Sequence, residues 1–314
     1  MNNKEIRISD RAEELVGKRY SVLDKGYVEL VSYHGTDKLI EAAARCSYQK
    51  GTRTKNDTEG LIRYLIRHKH MSPVEQCNVT FALKMPLFVI QQVLRHRAAK
   101  LNQESFRFSE VSDEFYECTE WRKQSTTNKQ GSEGLIDEFP SRYSYTNRGY
   151  KDPNDYLTDM QTRLLYDTKQ EYNTRLEFGV SRELARKDIP VSTYSKLYWQ
   201  MDLRNLLHFF SLRCDEHAQL EIREYADAMA CITKEIFPIT FQAWYDYEFT
   251  SINFTQKEID SLSKTTLGQT KEQDINNLIN AGLSKREAEE FFNKSIKQFK
   301  FFSISSLKEC NKNT

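Results

Sequence analysis

Two stretches far apart in the chain carry the same constraint. Cys77, Val79, Phe81, Leu83 and Met85 alternate with Asn78, Thr80, Ala82 and Lys84, and Val191, Thr193, Ser195, Leu197, Trp199 and Met201 alternate with Tyr194, Lys196, Tyr198 and Gln200. Successive side chains of a strand point to opposite faces, so each run reads as a half-buried strand. The apolar period then switches to a helical one after each run. Pro86 suits the first turn of a helix that should reach about His96 and present Gln92 and Arg95 from its C-terminal end. Asp202 is a good N-cap for a helix with Leu203, Leu206, Leu207 and Phe210 at core spacing.

The remaining elements are legible at varying strength. Residues 1–24 are polar and unpatterned, a short docking arm by this reading. Gly26–Ser32 reads as a strand, and Thr36 or Asp37 caps a helix with Leu39, Ile40, Ala43 and Ala44 on its apolar face. Residues 51–57 read as a loop, and 58–69 as a helix with Leu61, Ile62, Leu65 and Ile66 on one side. Residues 111–153 look irregular, and so long an irregular span inside a domain often serves as a lid or binding loop. Long helices are expected over about 154–178, ending near Gly179, and over about 216–236, with Ile222, Tyr225, Ala226, Met229 and Ile236 on one face. A short turn between them carries Arg182 and Arg186. Composition shifts near 250, where Thr255-x-x-Glu258, Thr270-x-x-Gln273 and Ser284-x-x-Glu287 read as capping boxes for short helices. The expected division is a main domain over 1–250 and a helical C-terminal extension over 251–314, with frayed last residues.

Composition narrows the function classes. At 39% hydrophobic residues the chain can bury a sizeable core, and its formal net charge is only +1. A general nucleic-acid or membrane-surface binder usually carries a basic excess, so neither partner is expected. The six cysteines form no Cys-x-x-Cys pair, which favours free thiols in a reducing compartment. The N-terminus lacks the apolar core of a signal peptide, and no run approaches ~20 apolar residues. A cytoplasmic protein is expected.

The chemistry concentrates in residues 91–109, where Arg95, Arg97 and Arg107 stand with His96, Gln91, Gln92, Ser105 and Ser109. Guanidinium groups pair bidentately with phosphate oxygens, and hydroxyls and amides complete such contacts. One helix face cannot hold all three arginines, but a helix end followed by an extended turn could aim them at one anion. The plainer alternative is a helix C-terminus with Arg and His complementing its dipole, then a solvated loop.

The order of these residues resembles the signature of flavin-dependent thymidylate synthases: Arg-His-Arg, two residues, Ser, one residue, Asn, two residues, Ser, one residue, Arg, then Tyr. Arg95, His96, Arg97, Asn102, Ser105 and Arg107 fall in register, while Lys100 replaces the usual Ser, Phe108 the usual Tyr, and Gln103 a common Glu. His70-Met71-Ser72-Pro73-Val74-Glu75-Gln76 resembles a second family segment. Trp121-Arg122 and Asn128–Ser132 are also similar to the family, as is Asp202–Arg213. The likeness covers about 26–250, in blocks 42–48, 61–76, 77–109 and 182–247.

The resemblance implies an α+β fold with a twisted antiparallel sheet flanked by long helices, and a homotetramer with active sites shared between subunits. It implies reductive methylation of dUMP to dTMP, with methylenetetrahydrofolate as carbon donor, FAD as cofactor and NADPH as reductant. By matching position, Gln92, Val93, Leu94, Arg95, Gln103, Glu104, Ser105, Phe106 and Arg107 would hold dUMP, with Arg186 contributed by a neighbour. Ser72, Arg95, His96, Arg97, Gln103, Asp202, Leu203, Arg204 and His208 would contact FAD, with His70 beside flavin and folate. Arg213, against the uracil N3/O2 edge, would favour the ionised ring and make C5 more nucleophilic.

Other readings weigh less. His217 and Glu221 sit at i and i+4, but a hydrolase zinc site needs three protein ligands and there is no His-Glu-x-x-His, so no metal is expected. A nucleophilic Ser105 needs an adjacent base that the sequence does not display. Lys100, Gln103 and Phe108 leave open a relative that modifies another pyrimidine nucleotide, for example by hydroxymethylation. A non-catalytic flavin- or nucleic-acid-binding protein is the remaining alternative.

Overall fold

The computed structural model describes residues 3–46, 57–126, 128–143, 149–264 and 270–297. They fall into two compact units, one ending at Trp244 and one beginning at Tyr245.

The first unit opens with two short helices, α1 (Asn3–Arg7) and α2 (Asp10–Glu13), and an edge strand β1 (Arg19–Val22). The expected docking arm is thus part of the fold. Ser9 caps α2, and its N–H donates to the Tyr33 hydroxyl at 2.9 Å. The strand was not legible because it is only four residues long and shows one buried side chain, Val22. β2 (Gly26–His34), α3 (Asp37–Arg45, capped by Thr36) and α4 (Thr58–Arg67) come next, as expected. The loop expected over 51–57 lies outside the described residues except for Asp57, which caps α4.

β3 (Asn78–Pro86) buries Val79, Phe81, Leu83 and Met85 as the alternation requires. Helix α5 is shorter than expected, Leu87–Val93, with Pro86 as its extended N-cap residue. After a turn, β4 (Lys100–Gln103) forms the far edge of the sheet. The span 111–153 is not wholly irregular, for β5 (Arg122–Gln124) and β6 (Ser132–Leu135) make a small hairpin. Helix α6 (Pro153–Glu177) ends before Gly179, which takes φ +78°. Helix α7 (Arg182–Ala185) and a single 3-10 turn lead to β7 (Tyr194–Asp202), α8 (Leu203–Arg213), α9 (Leu220–Ile236) and α10 (Pro238–Trp244).

The main sheet has the order β1-β2-β3-β7-β4 with every pair antiparallel, so the two alternating runs are adjacent central strands. Phe81 faces Trp199 across them, and Trp199 meets Phe209 of α8 at 5.1 Å between ring centroids. Two departures mark the start of β7. Val191 is exposed and precedes the strand, and Tyr194 is buried although its neighbours in register looked polar. The Tyr194 hydroxyl explains this, donating to Asp24 Oδ1 at 2.5 Å.

Helix α9 packs on β1 and β2 and buries Ile222, Tyr225, Ala226, Met229 and Ile236. Tyr225 donates to the Lys84 carbonyl at 2.6 Å, and a Cβ on Gly26 would lie 1.9 Å from that hydroxyl. Gly26 is therefore required by close packing. The fold is α+β, antiparallel sheet with long helices. No helix among the described residues is long and apolar enough to cross a membrane.

The second unit contains α11 (Gln256–Lys264), α12 (Lys271–Asn280) and α13 (Lys285–Lys297). All three capping boxes form: Thr255 with Glu258, Thr270 with Gln273 and Ser284 with Glu287. Leu278, Leu283, Ala288 and Phe291 make its small core, and Gly282 ends α12 at φ +112°. The expected fraying of the last residues lies outside the described ones.

Candidate active site

Because α5 stops at Val93, the signature leaves the helix in a turn rather than along one face. The His96 N–H donates to the Val93 carbonyl at 3.0 Å, and Arg95, His96 and Arg97 diverge. His96 turns inward, its ring edge-on to Phe209 at 4.7 Å between centroids. There its Nε2 accepts a hydrogen bond from Arg213 Nε at 3.1 Å. An imidazole that accepts at Nε2 carries its proton on Nδ1, so this contact requires neutral His96. Burial lowers the His96 pKa to about 4, reinforced by the charges of Arg213 and His208. Burial also lowers the Arg213 pKa, yet a guanidinium stays charged in proteins. With Nε engaged, the two terminal nitrogens of the Arg213 fork remain for a ligand.

The second half of the signature faces a cavity of about 620 Å³ lined by Leu87, Gln103, Glu104, Ser105, Phe106, Glu183, Arg186, Lys187 and Ile189. Sheet pairing sets its wall, since Gln103 lies opposite Leu197 and the Glu104 N–H donates to the Lys196 carbonyl at 2.8 Å. Gln103 Nε2 also donates to Ser195 Oγ at 3.2 Å. Phe106 packs with Val111, Tyr172 and Ala185, which ties the signature to α6 and α7. That apolar anchor brings Arg186 to the same cavity as Ser105 within one chain. Arg107 Nη2 lies 3.3 Å from Glu183 across the mouth, with both side chains more than half exposed. Ser105 Oγ accepts from the Arg107 N–H at 3.3 Å and has no base beside it among the described residues.

Cationic and amide groups thus form two clusters joined by one continuous stretch. Arg95, Arg97 and Arg186 have no ion pair among the described residues. Buried Glu221, by contrast, holds Arg122 at 2.6 Å and receives hydrogen bonds from Tyr116 and Gln219. Gln219 in turn accepts from Gln92 at 2.7 Å. Gln219, Glu221, Glu183 and Lys187 were not singled out as ligand-facing from sequence. Glu221 was weighed from sequence only as a metal ligand beside His217.

The comparisons fall on the same residues. The family model described as thymidylate synthase complementing protein matches residues 29–239. A flavin-dependent thymidylate synthase of Rickettsia bellii is 37% identical over 295 residues, covering 92% of this chain and 98% of that one. The enzyme of that name from Treponema denticola is 38% identical over 276 residues, covering 87% and 96%. The chain belongs to the flavin-dependent thymidylate synthase family.

A solved UMP/dUMP methylase of Streptomyces cacaoi, bound with 5-Br dUMP, superposes with a TM-score of 0.62 at 29% identity, covering 74% of this chain and 100% of that one. The same methylase bound with 5-Br UMP gives 0.61 at 31% identity, covering 74% and 99%.

Against the flavin-dependent thymidylate synthase pattern, several expected ligand residues have other structural duties. Val93 and Leu203 have fully buried apolar side chains that seat α5 and α8 in the core, which leaves their backbone groups to meet a ligand. The Phe106 ring is mostly buried in its own cluster, although it borders the cavity. The Asp202 carboxylate caps α8, accepting from Asn205 N at 3.1 Å and Asn205 Nδ2 at 2.7 Å. Ser211, on the same helix, accepts from Trp244 Nε1 at 3.0 Å. Arg204 and His208 are exposed, and Arg204 pairs with Glu75. That pair ties α8 to the His70–Gln76 segment. There Ser72 is exposed, and His70 lies in a ring cluster with Tyr64 and His68. Leu94 is exposed beside the Arg95 turn. Lys100 is exposed on β4, opposite Gln200, and Phe108 is 80% exposed. Among the described residues, no group of three or more His, Cys, Asp or Glu is arranged to hold a metal ion.

Proposed function

We propose that this enzyme carries out reductive methylation of dUMP to dTMP, with methylenetetrahydrofolate as carbon donor, FAD as cofactor and NADPH as reductant. Methylation of a uridine monophosphate is what the family membership supports directly. The single observation that carries the mechanistic part is the His96–Arg213 contact, which gives one guanidinium a set orientation and leaves its two terminal nitrogens to donate.

In this reading the cavity residues Gln103, Ser105 and Arg186, with Arg107 at its mouth, hold the nucleotide phosphate. Arg213 meets the N3/O2 edge of uracil. Negative charge on that edge is stabilised by the fork, and C5 becomes the stronger nucleophile toward the one-carbon donor. Neutral His96 keeps Arg213 in line without adding a competing positive charge. The donor set also fits a dinucleotide: Arg95 and Arg97 are exposed guanidiniums without ion pairs, suited to a pyrophosphate. His208 and Arg204 stand on the exposed side of α8, and Ser72 and His70 on the segment joined to it. When bound, the flavin supplies the reducing equivalent that completes the methyl group. No protein nucleophile is needed, in keeping with Ser105 lacking a base.

The catalytic residues belong to the first unit, and we assign residues 251–314 to an appendage. A homotetramer suits the large exposed side chains Phe108, Leu164, Tyr166 and Phe178. A cytoplasmic setting suits the described cysteines, Cys46, Cys77, Cys118, Cys214 and Cys231, none of which forms a disulfide. A second reading, UMP as substrate, is favoured by the structural likeness to a methylase solved with 5-Br UMP.

The test is to incubate the purified enzyme with methylenetetrahydrofolate, NADPH and either dUMP or UMP, and to weigh the nucleotide product. A gain of one methylene unit on dUMP supports the proposal. Gain on UMP alone moves it to the second reading, and a hydroxymethyl product or no product overturns it.

A further inference from the structure

Gln92 ends α5 next to the Arg95 turn, and its side chain is the outer end of a chain of hydrogen bonds running inward. Gln92 Nε2 donates to Gln219 Oε1 at 2.7 Å, and Gln219 Nε2 donates to Glu221 Oε2 at 2.7 Å. The other carboxylate oxygen, Glu221 Oε1, accepts from Arg122 Nη2 at 2.6 Å and from the Tyr116 hydroxyl at 3.2 Å.

The inner end fixes the direction of the whole chain. Glu221 is 3% exposed. Burial pushes its carboxyl up, but the Arg122 guanidinium, its own helix N–H and the Gln219 amide more than offset this and hold it below the ordinary value. An ionised carboxylate only accepts hydrogen bonds. Gln219 must therefore turn its NH2 inward and its carbonyl outward. Gln92 must then turn its NH2 toward Gln219, which leaves its carbonyl oxygen facing away. The orientation of two amides, ordinarily ambiguous, here is set by one charge.

Gln219 gives a second sign that this arrangement has a use. It occupies the N-cap position of α9, yet its side chain makes no capping bond. It bridges Gln92 and Glu221 instead, and the Glu221 carboxylate takes up a first-turn N–H in its place.

We propose that Gln219 and Glu221 are positioning residues that set Gln92 to present a carbonyl acceptor to the ribose 3′-hydroxyl of the bound nucleotide. This rests on the reading of Gln92 as a dUMP-contacting residue. Deoxyuridine monophosphate offers two hydrogen-bond donors, the imide N–H and the 3′-hydroxyl. A guanidinium only donates, so Arg213 favours the imide in its ionised form, without its proton, and the 3′-hydroxyl is the donor left for Gln92. Arg122, on the β5–β6 hairpin, serves at the far end by keeping Glu221 ionised.

The test measures equilibrium binding of dUMP and of 2′,3′-dideoxyuridine monophosphate to the flavin-loaded enzyme and to two variants. The parent should bind dUMP about tenfold more tightly than the dideoxy analogue, the scale of one hydrogen bond to a neutral group. Gln219→Leu removes the link but leaves the Glu221–Arg122 pair, and it should lose dUMP affinity until both ligands bind alike. Glu221→Gln, which donates as readily as it accepts, should reduce the discrimination in the same way. Affinity for the dideoxy analogue and flavin content should stay at the parent value in both, which a merely structural defect would not allow. Discrimination retained in Gln219→Leu overturns the relay. Equal binding of the two ligands by the parent overturns the 3′-hydroxyl assignment. A parent that binds neither overturns the reading of Gln92 on which the relay depends.

Discussion

The two halves of the signature stretch are built in opposite ways. Around Gln92 and His96 the polar groups are engaged before any ligand arrives: His96 holds Arg213, and Gln219 holds Gln92. Around Gln103–Phe106 the groups line an open cavity, and among the described residues the Arg107 side chain is held only by an exposed ion pair with Glu183. A preset group has little reorganisation left to make and can favour the transition state, whereas groups around an open cavity are organised by the ligand and mainly contribute binding. The first half should govern turnover and the second half affinity.

Substitutions at the two arginines would break this contrast most directly. Arg213→Ala should lower turnover roughly hundredfold or more, the scale of losing a preset donor at developing charge. Its dUMP affinity should change far less. Arg107→Ala should do the reverse, weakening dUMP binding about tenfold to a hundredfold through loss of a charge-assisted contact. Turnover at saturating nucleotide should remain near the parent. Steady-state kinetics with separate equilibrium titration reads both, and parallel effects would erase the distinction.

Glu183→Gln sharpens the affinity side. Exposed ion pairs contribute ~1 kcal/mol at most, so freeing Arg107 should tighten dUMP binding about threefold, an effect that fades in high salt. Weaker binding would mean that Glu183 orients Arg107 productively.

The His96 ring gives a pH test of the preset side. Its folded pKa lies near 4, depressed from an ordinary 6.5 by burial and by the Arg213 and His208 charges. Between those values the unfolded chain takes up a proton that the folded chain refuses. His96 therefore contributes a loss of stability as pH falls through that window, which levels off below it. Thermal midpoints from pH 7 to 4 should fall more steeply for the parent than for His96→Asn. Equal slopes would mean His96 is protonated in the fold. The smallest effect belongs to the C-terminal unit: a chain ending at residue 250 should keep flavin and dUMP binding essentially unchanged. An aggregated product without flavin would make the tail part of the core.

Legibility in the sequence divides along a similar line, between local and distant physics. The alternations of β3 and β7, the Asp202 cap and the three C-terminal capping boxes are set by neighbours a few residues away. All of them were readable. Strand β4 was not, since Lys100, Leu101 and Asn102 are exposed and the strand is extended only through pairing with β7. The shortened α5 was not readable either, although that early stop is what turns His96 toward Arg213. Gln92 meets Gln219, and Arg122 meets Glu221, only through the fold, so their spacing along the chain carried no sign of the contact. Tyr194 is buried on a face that looked polar because Asp24, far away in sequence, receives its hydroxyl. The motif singled out the candidate residues, and packing determined which of them are held.

The most direct measurement of the central claim uses Arg213→Lys, which keeps the charge but loses the planar fork that matches a ring edge. Single-turnover conversion of dUMP should be tracked by rapid quench, with dUMP affinity titrated on the same preparation. The expected result is conversion slowed about a hundredfold with affinity within about threefold of the parent. Conversion at the parent rate, or a loss confined to affinity, would contradict the activating role and make Arg213 a binding residue only.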